Sequence, residues 1–378
     1  MKLKAALILL VVLGLRGSVC AQVTQQPSPS PTPTPNEDQE AVKVFTEEVR
    51  LPVIAVDQYG HYDPTLEVDD LLVLEDGVAQ QIRSIRHFPA NVLFVLDTGG
   101  ELSGLGGMSK RTGLTRDVAI KLLNNLKDGT QISVMQFNES VELIQSWTKD
   151  KQAVLTVLRT KLTSGKRSRF SEAVVAAARQ LADRPEGSRH VVFITDGVDT
   201  PGGKTGRSEA IKQLTAARAT VHIISYTEFV RQKKAGRPSS VSVGQLPSSS
   251  DPMTATDPTL PAGTTRNPSF GVGVRFDPAM RRQRKAYEAD IKKSQQVLSS
   301  VADETGGRIF LPKTNEEMIA QAADAAREIG AEYVVTYRPK RPLVSSTRGE
   351  YRKIEVASRR VGVSVRSRRG YVVPEGNE

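Results

Sequence analysis

Cysteine is nearly absent from this 378-residue sequence, which contains only Cys20. A fold held together by internal disulfides is therefore excluded, and the folded part must depend on its hydrophobic core. Histidine is scarce too, and the four histidines lie in separate segments without the spacing of a metal site. We expect His190 and His222 to pack within strands or to lie at the surface. No Gly-x-Ser-x-Gly motif is present, which argues against a serine hydrolase.

No apolar run is long enough for a stable membrane span. The run AALILLVVLGL follows a basic MKLK and precedes the small-residue sequence SVCAQ. This order predicts a secretory signal peptide over residues 1–21, with cleavage after Ala21. We therefore expect an exported protein, periplasmic or extracellular, with no transmembrane span in its mature chain. Acylation of Cys20 in a lipoprotein is the less favoured alternative, because Val19 stands where Gly or Ala would fit better.

Acidic residues are outnumbered by basic ones, 42 to 52, which gives a formal charge of +10. The basic residues are spread along the chain, and spread charge is typical of solvated faces. No basic motif interleaved with aromatic residues is present, so we expect no nucleic-acid partner.

The sequence has a β-rich segment on each side of an α/β segment, preceded by a spacer. The spacer alternates Pro with Ser and Thr, which predicts an extended, disordered linker. Asp76-Gly77, between two strand-like runs, predicts a β-hairpin. The predicted parts are the linker 22–40, the N-terminal β-rich segment 41–90, the α/β domain 91–330 with a disordered insertion at about 231–278, and the C-terminal β-rich segment 331–378.

The α/β segment alternates buried strands with amphipathic helices. NVLFVL is a largely continuous apolar run, as expected for a strand buried on both faces, and HVVFIT predicts another strand. TRDVAIKLLNNL places Val118, Leu122 and Leu126 on one face of a helix. The fold class predicted is a doubly wound, mostly parallel α/β sheet, Rossmann-like in layout. We expect the two β-rich flanks to form a small sandwich-like unit; two independent units are the alternative.

The stretch FVLDTGGE, residues 94–101, is compatible with three kinds of site. Asp-Thr-Gly occurs in aspartic proteases, but those need a second copy, and Asp199-Thr200 is followed by Pro201. The glycines suggest a phosphate-binding loop, but no Gly-Lys-Ser/Thr follows them. A strand that ends in Asp, followed by small residues, is the third possibility: the first loop of a metal-dependent adhesion site.

Three loops with oxygen-bearing side chains follow the predicted strands or enter a predicted helix, at Asp97–Glu101, Gly165–Ala173 and Thr195–Asp199. These loops, with Gln136-Phe137 and FITDG, resemble the von Willebrand factor A domain from Asn91 to about Gly330. The wider chain, with EDG, TGGRIF and RGY, resembles exported bacterial proteins built around such a domain. In that family a divalent cation is held by Asp-x-Ser-x-Ser, by a Thr of the second loop and by an Asp of the third. Carried over in that order, the resemblance implies Asp97, Gly99, Glu101, Ser168 and Asp196.

Two of these positions depart from the family pattern. Gly99 offers no hydroxyl, and Glu101 replaces a serine with a longer, charged side chain. The ligands expected from the resemblance are therefore Asp97, Glu101, Ser168 and Asp196, with Mg²⁺ or Mn²⁺ as the cofactor and water completing the shell. The alternative is that the two aspartates only cap helices and no metal binds.

The resemblance also implies a non-enzymatic binding or adhesion module. A partner protein or matrix would dock by offering an acidic residue to this site. The rim expected around it consists of Gly99, Gly100, Lys166, Arg167, Arg169 and Asp199. A structural or assembly component of the cell envelope, with an inert site, is the alternative function.

Overall fold

The structure is a computed structural model, and it describes residues 48–99, 108–200, 202–229, 231, 278–343, 346–347 and 349–373. The predicted signal peptide, the linker, nearly all of the insertion, and the site residues Gly100 and Glu101 lie outside the described residues.

A six-stranded sheet forms the centre of the α/β part. Its strands run in the order β10-β9-β8-β5-β6-β7, and every neighbouring pair is parallel except β6–β7. The middle strands are buried along their whole length, because helices cover both faces. The strands are β5 (Asn91–Asp97), β6 (Gln131–Phe137), β7 (Val141–Thr148), β8 (Arg189–Thr195), β9 (Thr220–Ser225) and β10 (Ile309–Phe310).

In the part of the chain that the structure describes, the helices flanking this sheet include α1 (Met108–Asn125), α2 (Lys151–Thr160), α3 (Phe170–Ala182), α4 (Arg207–Ala216), α5 (Pro278–Thr305) and α6 (Asn315–Ala331). Alternate side chains of β5 divide between two cores. Phe94 and Leu96 face the core that contains α1, α2 and α6, while Leu93 and Val95 face the core that contains α3, α4 and α5. The two-faced arrangement confirms the predicted α/β fold class.

The flanking segments form two antiparallel four-stranded sheets, ordered β13-β1-β11-β4 and β14-β12-β2-β3. Each sheet combines strands from both flanks, and apolar side chains of both sheets share one core. The predicted hairpin is confirmed: Glu75 pairs with Val78, and Asp76 and Gly77 both have positive φ. The strands are β1 (Val49–Asp57), β2 (Leu71–Glu75), β3 (Val78–Gln80), β4 (Ile82–Arg86), β11 (Tyr333–Tyr337), β12 (Tyr351–Ser358), β13 (Val363–Ser367) and β14 (Gly370–Val372).

A buried ion pair joins the two flanks inside this sandwich. Arg352 Nη1 of β12 donates to Glu75 Oε1 of β2 at 2.6 Å, and both side chains are almost fully buried. Tyr337 and Tyr371 donate their hydroxyls to Glu75 Oε2 at 2.7 and 3.1 Å. Because neither charge can be solvated, each depends on the other and on these hydrogen bonds.

Two histidines are buried where the central strands begin, at the junction with the sandwich. The rings of His190 and His222 stack with centroids 5.9 Å apart. His190 Nε2 lies 3.2 Å from Glu332 Oε1, and His222 Nδ1 lies 3.5 Å from Glu328 Oε1. Burial lowers the pKa of His222 well below its usual value and raises that of Glu328, although Arg366 of β13 pairs with Glu328. The expected strand packing is confirmed, while the carboxylate neighbours come from the distant helix α6 and the residue just after it.

Candidate functional site

The first and third loops lie side by side at the carboxyl edge of the central sheet. β5 and β8 are neighbouring parallel strands with Leu96 paired to Ile194, so Asp97 lies beside the end of β8. In open α/β sheets this edge is where ligands bind. Asp97 and Asp196 are both buried there.

The Asp97 carboxylate connects all three loops. Its Oδ2 accepts a hydrogen bond from Thr195 Oγ1 at 2.7 Å and another from Ser168 Oγ at 3.4 Å. Its Oδ1 accepts one from the Gly99 amide at 3.1 Å. The structure therefore brings Asp97 and Ser168 together, although they are far apart in the chain. Thr195, which the sequence placed in the third loop but not among the site residues, is an additional member of the site; its position before Asp196 in FITDG was the signal for it.

Asp196 is held in place by its own turn and by α5. Its Oδ1 accepts a hydrogen bond from the Val198 amide at 3.0 Å, and its backbone carbonyl accepts one from Ser294 Oγ at 2.8 Å. Gly197 has a φ of +66°, and a Cβ at this position would lie 2.6 Å from Ser294 Oγ. Only glycine fits this turn without a shift of α5.

Gly99 is packed against the second loop. A Cβ built on Gly99 would lie 2.8 Å from the carbonyl carbon of Arg167 and 2.9 Å from the Cα of Asn138, and closer still to the Arg167 oxygen. These are backbone atoms, which cannot rotate away as the end of a side chain can. The backbone of the second loop therefore occupies the space that a serine side chain would need.

The turn between β6 and β7 anchors the second loop. Glu139 Oε1 accepts a hydrogen bond from the Lys166 amide at 2.6 Å, and this bond lowers the pKa of Glu139. The Gly165 amide donates to the carbonyl of Thr98 at 3.0 Å. A Cβ on Gly165 would lie 2.5 Å from Asn138 Cβ, so glycine is required by close approach. No local sequence pattern indicates this role of Asn138 and Glu139.

The residues predicted as a rim differ in their surroundings. Lys166 and Arg167 are exposed, while Arg169 is half-buried. Asp199 caps α3 from outside that helix: its Oδ1 accepts from the Ser171 amide at 3.0 Å and its Oδ2 from Ser171 Oγ at 2.5 Å. Asp199 therefore ties the third loop to α3.

The donor set fits a hard divalent cation in its chemistry. Asp97, Ser168 and Asp196 offer carboxylate and hydroxyl oxygens, which Mg²⁺ and Mn²⁺ prefer, and Gly99 adds none. Within the described ranges, no group of three or more His, Cys, Asp or Glu side chains is arranged to hold a metal ion. A metal shell drawn from the described residues of this edge would therefore include the hydroxyl of Ser168 and water.

The family profile of the von Willebrand factor type A domain matches residues 92–198, from β5 through all three loops. This chain contains a von Willebrand factor A domain. The match covers the strands and loops that carry Asp97, Ser168 and Asp196. No curated protein sequence matches the chain.

Several solved structures are similar to the chain, at low identity. The conserved hypothetical protein BatB from Bacteroides thetaiotaomicron is 18% identical, with 36% of this chain and 66% of that one covered and a TM-score of 0.29. An aerotolerance-related membrane protein from Bacteroides fragilis is 14% identical, with 64% and 98% covered and a TM-score of 0.36. A von Willebrand factor type A protein from Catenulispora acidiphila is 10% identical, with 88% and 76% covered and a TM-score of 0.41. The chain thus spans just under two thirds of the first of these.

Among the helices that the structure describes, none combines the length and the apolar character needed to cross a membrane.

Proposed function

We propose that this chain is an exported, non-enzymatic binding protein, and that the carboxyl edge of its von Willebrand factor A (VWA) domain recognises an acidic residue of a protein or matrix partner. The observation that carries the proposal is the contact of Ser168 with Asp97 beside Asp196, three polar side chains from distant loops at one sheet edge. These buried polar side chains lie where the fold collects ligands.

A bound Mg²⁺ or Mn²⁺ would supply the positive charge that attracts a partner carboxylate. Asp97, Ser168 and Asp196 would hold it, and Glu101 is proposed as a further ligand. The hydrogen bonds from Thr195 and Gly99 keep the Asp97 carboxylate fixed in one orientation, so that it needs little rearrangement to bind.

Lys166 and Arg167 extend the attraction beyond the buried centre. Both are exposed on the second loop, whose backbone is held by Glu139 and Thr98. Exposed charges on a fixed loop steer an acidic partner and orient it, and their effect weakens as salt is added. We expect the association rate to fall with ionic strength.

Export is part of the same proposal. The signal peptide over residues 1–21 supports secretion, and the Pro-rich linker over 22–40 would hold the folded part away from a surface. Mass spectrometry of the protein isolated from its own cells tests this: a new N-terminus after Ala21 is expected, and an acylated Cys20 would instead indicate a lipoprotein.

The binding proposal is tested by capturing the partner from envelope extract with the wild-type chain and with Asp97→Asn. Asp117→Asn is the matched control, because Asp117 is exposed on α1. We expect Asp97→Asn to lose the captured partner and, in titration calorimetry, its Mn²⁺ binding, while the control retains both. Equal capture by all three proteins would favour the structural or assembly role with an inert site.

A further inference from the structure

A small cleft lies beside the site, between the start of α3 and the loop that leads into α4. Its volume is about 190 Å³, enough for a side-chain carboxylate. It is lined by Arg169, Ser171, Glu172, Asp199, Thr200, Gly202, Gly203, Thr205 and Arg207.

The two acidic residues of the cleft are already used within the protein. Asp199 accepts from both the amide and the hydroxyl of Ser171. Glu172 Oε1 accepts from the Lys204 amide at 3.0 Å. Both acids therefore hold the loop against α3.

Arg207 also has a role within the protein. Its Nη2 donates to the carbonyl of Gly197 at 2.5 Å and lies 3.6 Å from Asp199 Oδ2. Its guanidinium lies over the ring of Phe170, 5.7 Å from the centroid. Arg207 therefore helps to fix the wall of the cleft.

Arg169 is different, because most of its hydrogen-bonding capacity is unused. A guanidinium carries five N–H donors. Arg169 makes one long hydrogen bond, from Nη1 to the carbonyl of Thr200 at 3.4 Å, and no ion pair within the part of the chain that the structure describes. It is half-buried and lines the cleft. Its other donors are available to an acceptor that enters the cleft.

The neighbouring hydroxyl also has a free donor. Thr200 Oγ1 accepts a hydrogen bond from the Ser168 amide at 2.9 Å, which leaves its own proton to be donated. An incoming group that accepts hydrogen bonds would therefore meet Arg169 and Thr200 together. Asp199 and Glu172 also line the cleft and repel an anion in proportion to its charge, so a carboxylate with one charge suits the cleft better than a phosphate dianion.

We infer that this cleft binds a carboxylate of the partner, held by Arg169 and Thr200, as a second contact separate from the Asp97 centre. This inference rests on the proposed function for the identity of the partner. Ser168 and Arg169 are consecutive, so their Cα atoms are about 3.8 Å apart, yet Ser168 contacts Asp97 while Arg169 lines the cleft. One short acidic segment with two carboxylates can reach both subsites.

The test uses the isotope-labelled full chain and the probe peptide acetyl-Gly-Glu-Gly-amide, followed by NMR. We expect the peptide to shift the amides of Gly202, Gly203 and Thr205, and the matching Gln peptide and inorganic phosphate to shift them less. Arg169→Gln should weaken peptide binding by roughly fivefold or more, as expected for a charge-assisted pair. Arg179→Gln is the matched control, since it removes an exposed arginine of α3 outside the cleft, and we expect no change.

Two further measurements separate this inference from the proposed function. Chelation of metal and the Asp97→Asn variant should leave peptide binding in the cleft unchanged, whatever they do to partner capture. Arg169→Lys keeps the positive charge but cannot form two parallel hydrogen bonds, so it should bind the Glu peptide with intermediate affinity. This variant still tests the inference if Arg169→Gln does not fold. Equal loss in Arg179→Gln and Arg169→Gln, or tighter binding of phosphate than of the Glu peptide, would overturn the inference.

Discussion

Replacement of Gly99 by alanine tests how closely the first two loops are packed. The added Cβ would lie 2.8 and 2.9 Å from backbone atoms of Arg167 and Asn138, distances that real Cβ contacts do not show. Gly99 does not have a positive φ, so the effect is steric and not conformational. Because the second loop is fixed by Glu139 and Thr98, the clash should lower the free energy of unfolding by about 1–3 kcal/mol, the usual cost of overpacking.

Gly113→Ala is the matched control. Gly113 lies inside α1, and a Cβ there would meet nothing within 4 Å. Alanine should stabilise that helix by about 0.5–1 kcal/mol, so the two substitutions are expected to have opposite signs. Guanidinium unfolding followed by the fluorescence of Trp147, the only tryptophan, measures both.

The same geometry predicts that Gly99→Ser, which restores the residue type of the family motif, destabilises the protein and does not increase Mn²⁺ affinity. A Gly99→Ala variant as stable as the wild type, or a Gly99→Ser variant that binds Mn²⁺ more tightly, would refute the reasoning.

Three other predictions concern contacts away from Gly99. Glu75→Ala leaves the buried Arg352 without its carboxylate and should destabilise the chain by roughly 3–5 kcal/mol, measured by chemical unfolding; a loss below about 1 kcal/mol would contradict a buried pair. Asp199→Ala removes the cap of α3 and should cost about 1 kcal/mol, and Asp199→Asn should restore part of that loss. Burial lowers the pKa of His222, so near pH 6.5 the unfolded chain takes up a proton at this residue and the folded chain does not. The free energy of unfolding is therefore unaffected by His222 above that pH and decreases as the pH drops below it. His222→Leu should show a smaller loss between pH 7.5 and about pH 5 in thermal unfolding, and an unchanged loss would assign it to other groups.

Local sequence patterns predicted the strands and helices well because each pattern is set by one element alone. VLFVL, residues 92–96, is apolar at every position, and β5 is buried at every position. The period of Val118, Leu122 and Leu126 matches one buried face of α1. The meeting of Asp97 and Ser168 also followed from sequence, through the family resemblance and the rule that parallel strands collect their loops at one edge.

Contacts between distant side chains could not be predicted in the same way. Nothing near His190 in the chain indicates that Glu332 will lie 3.2 Å away, because the pairing depends on how α6 and the residue after it reach the start of β8. The capping of α3 by Asp199 could not be predicted for the same reason. Arg169 at the start of that helix makes no side-chain capping hydrogen bond, and Asp199 of the third loop caps the helix in its place. Such contacts depend on the angles between packed elements, which residue periodicity does not encode.

The pairing of β1 with β11 and β13 has a consequence for the order of folding. β1 is synthesised long before β11 and β13. Until those strands arrive, its backbone donors and acceptors are hydrogen-bonded to water. Once the α/β part has folded, however, its two ends are already adjacent, since His87 Nδ1 lies 2.8 Å from the carbonyl of Glu332 and Arg86 pairs with Val334. The folded α/β part then holds the two flanking segments close together. The chain loop that must close when the sandwich forms is therefore shorter, and the entropic cost of closing it is smaller. The sandwich should therefore assemble last, and pulse-labelled hydrogen exchange should protect β5 and β8 before β1.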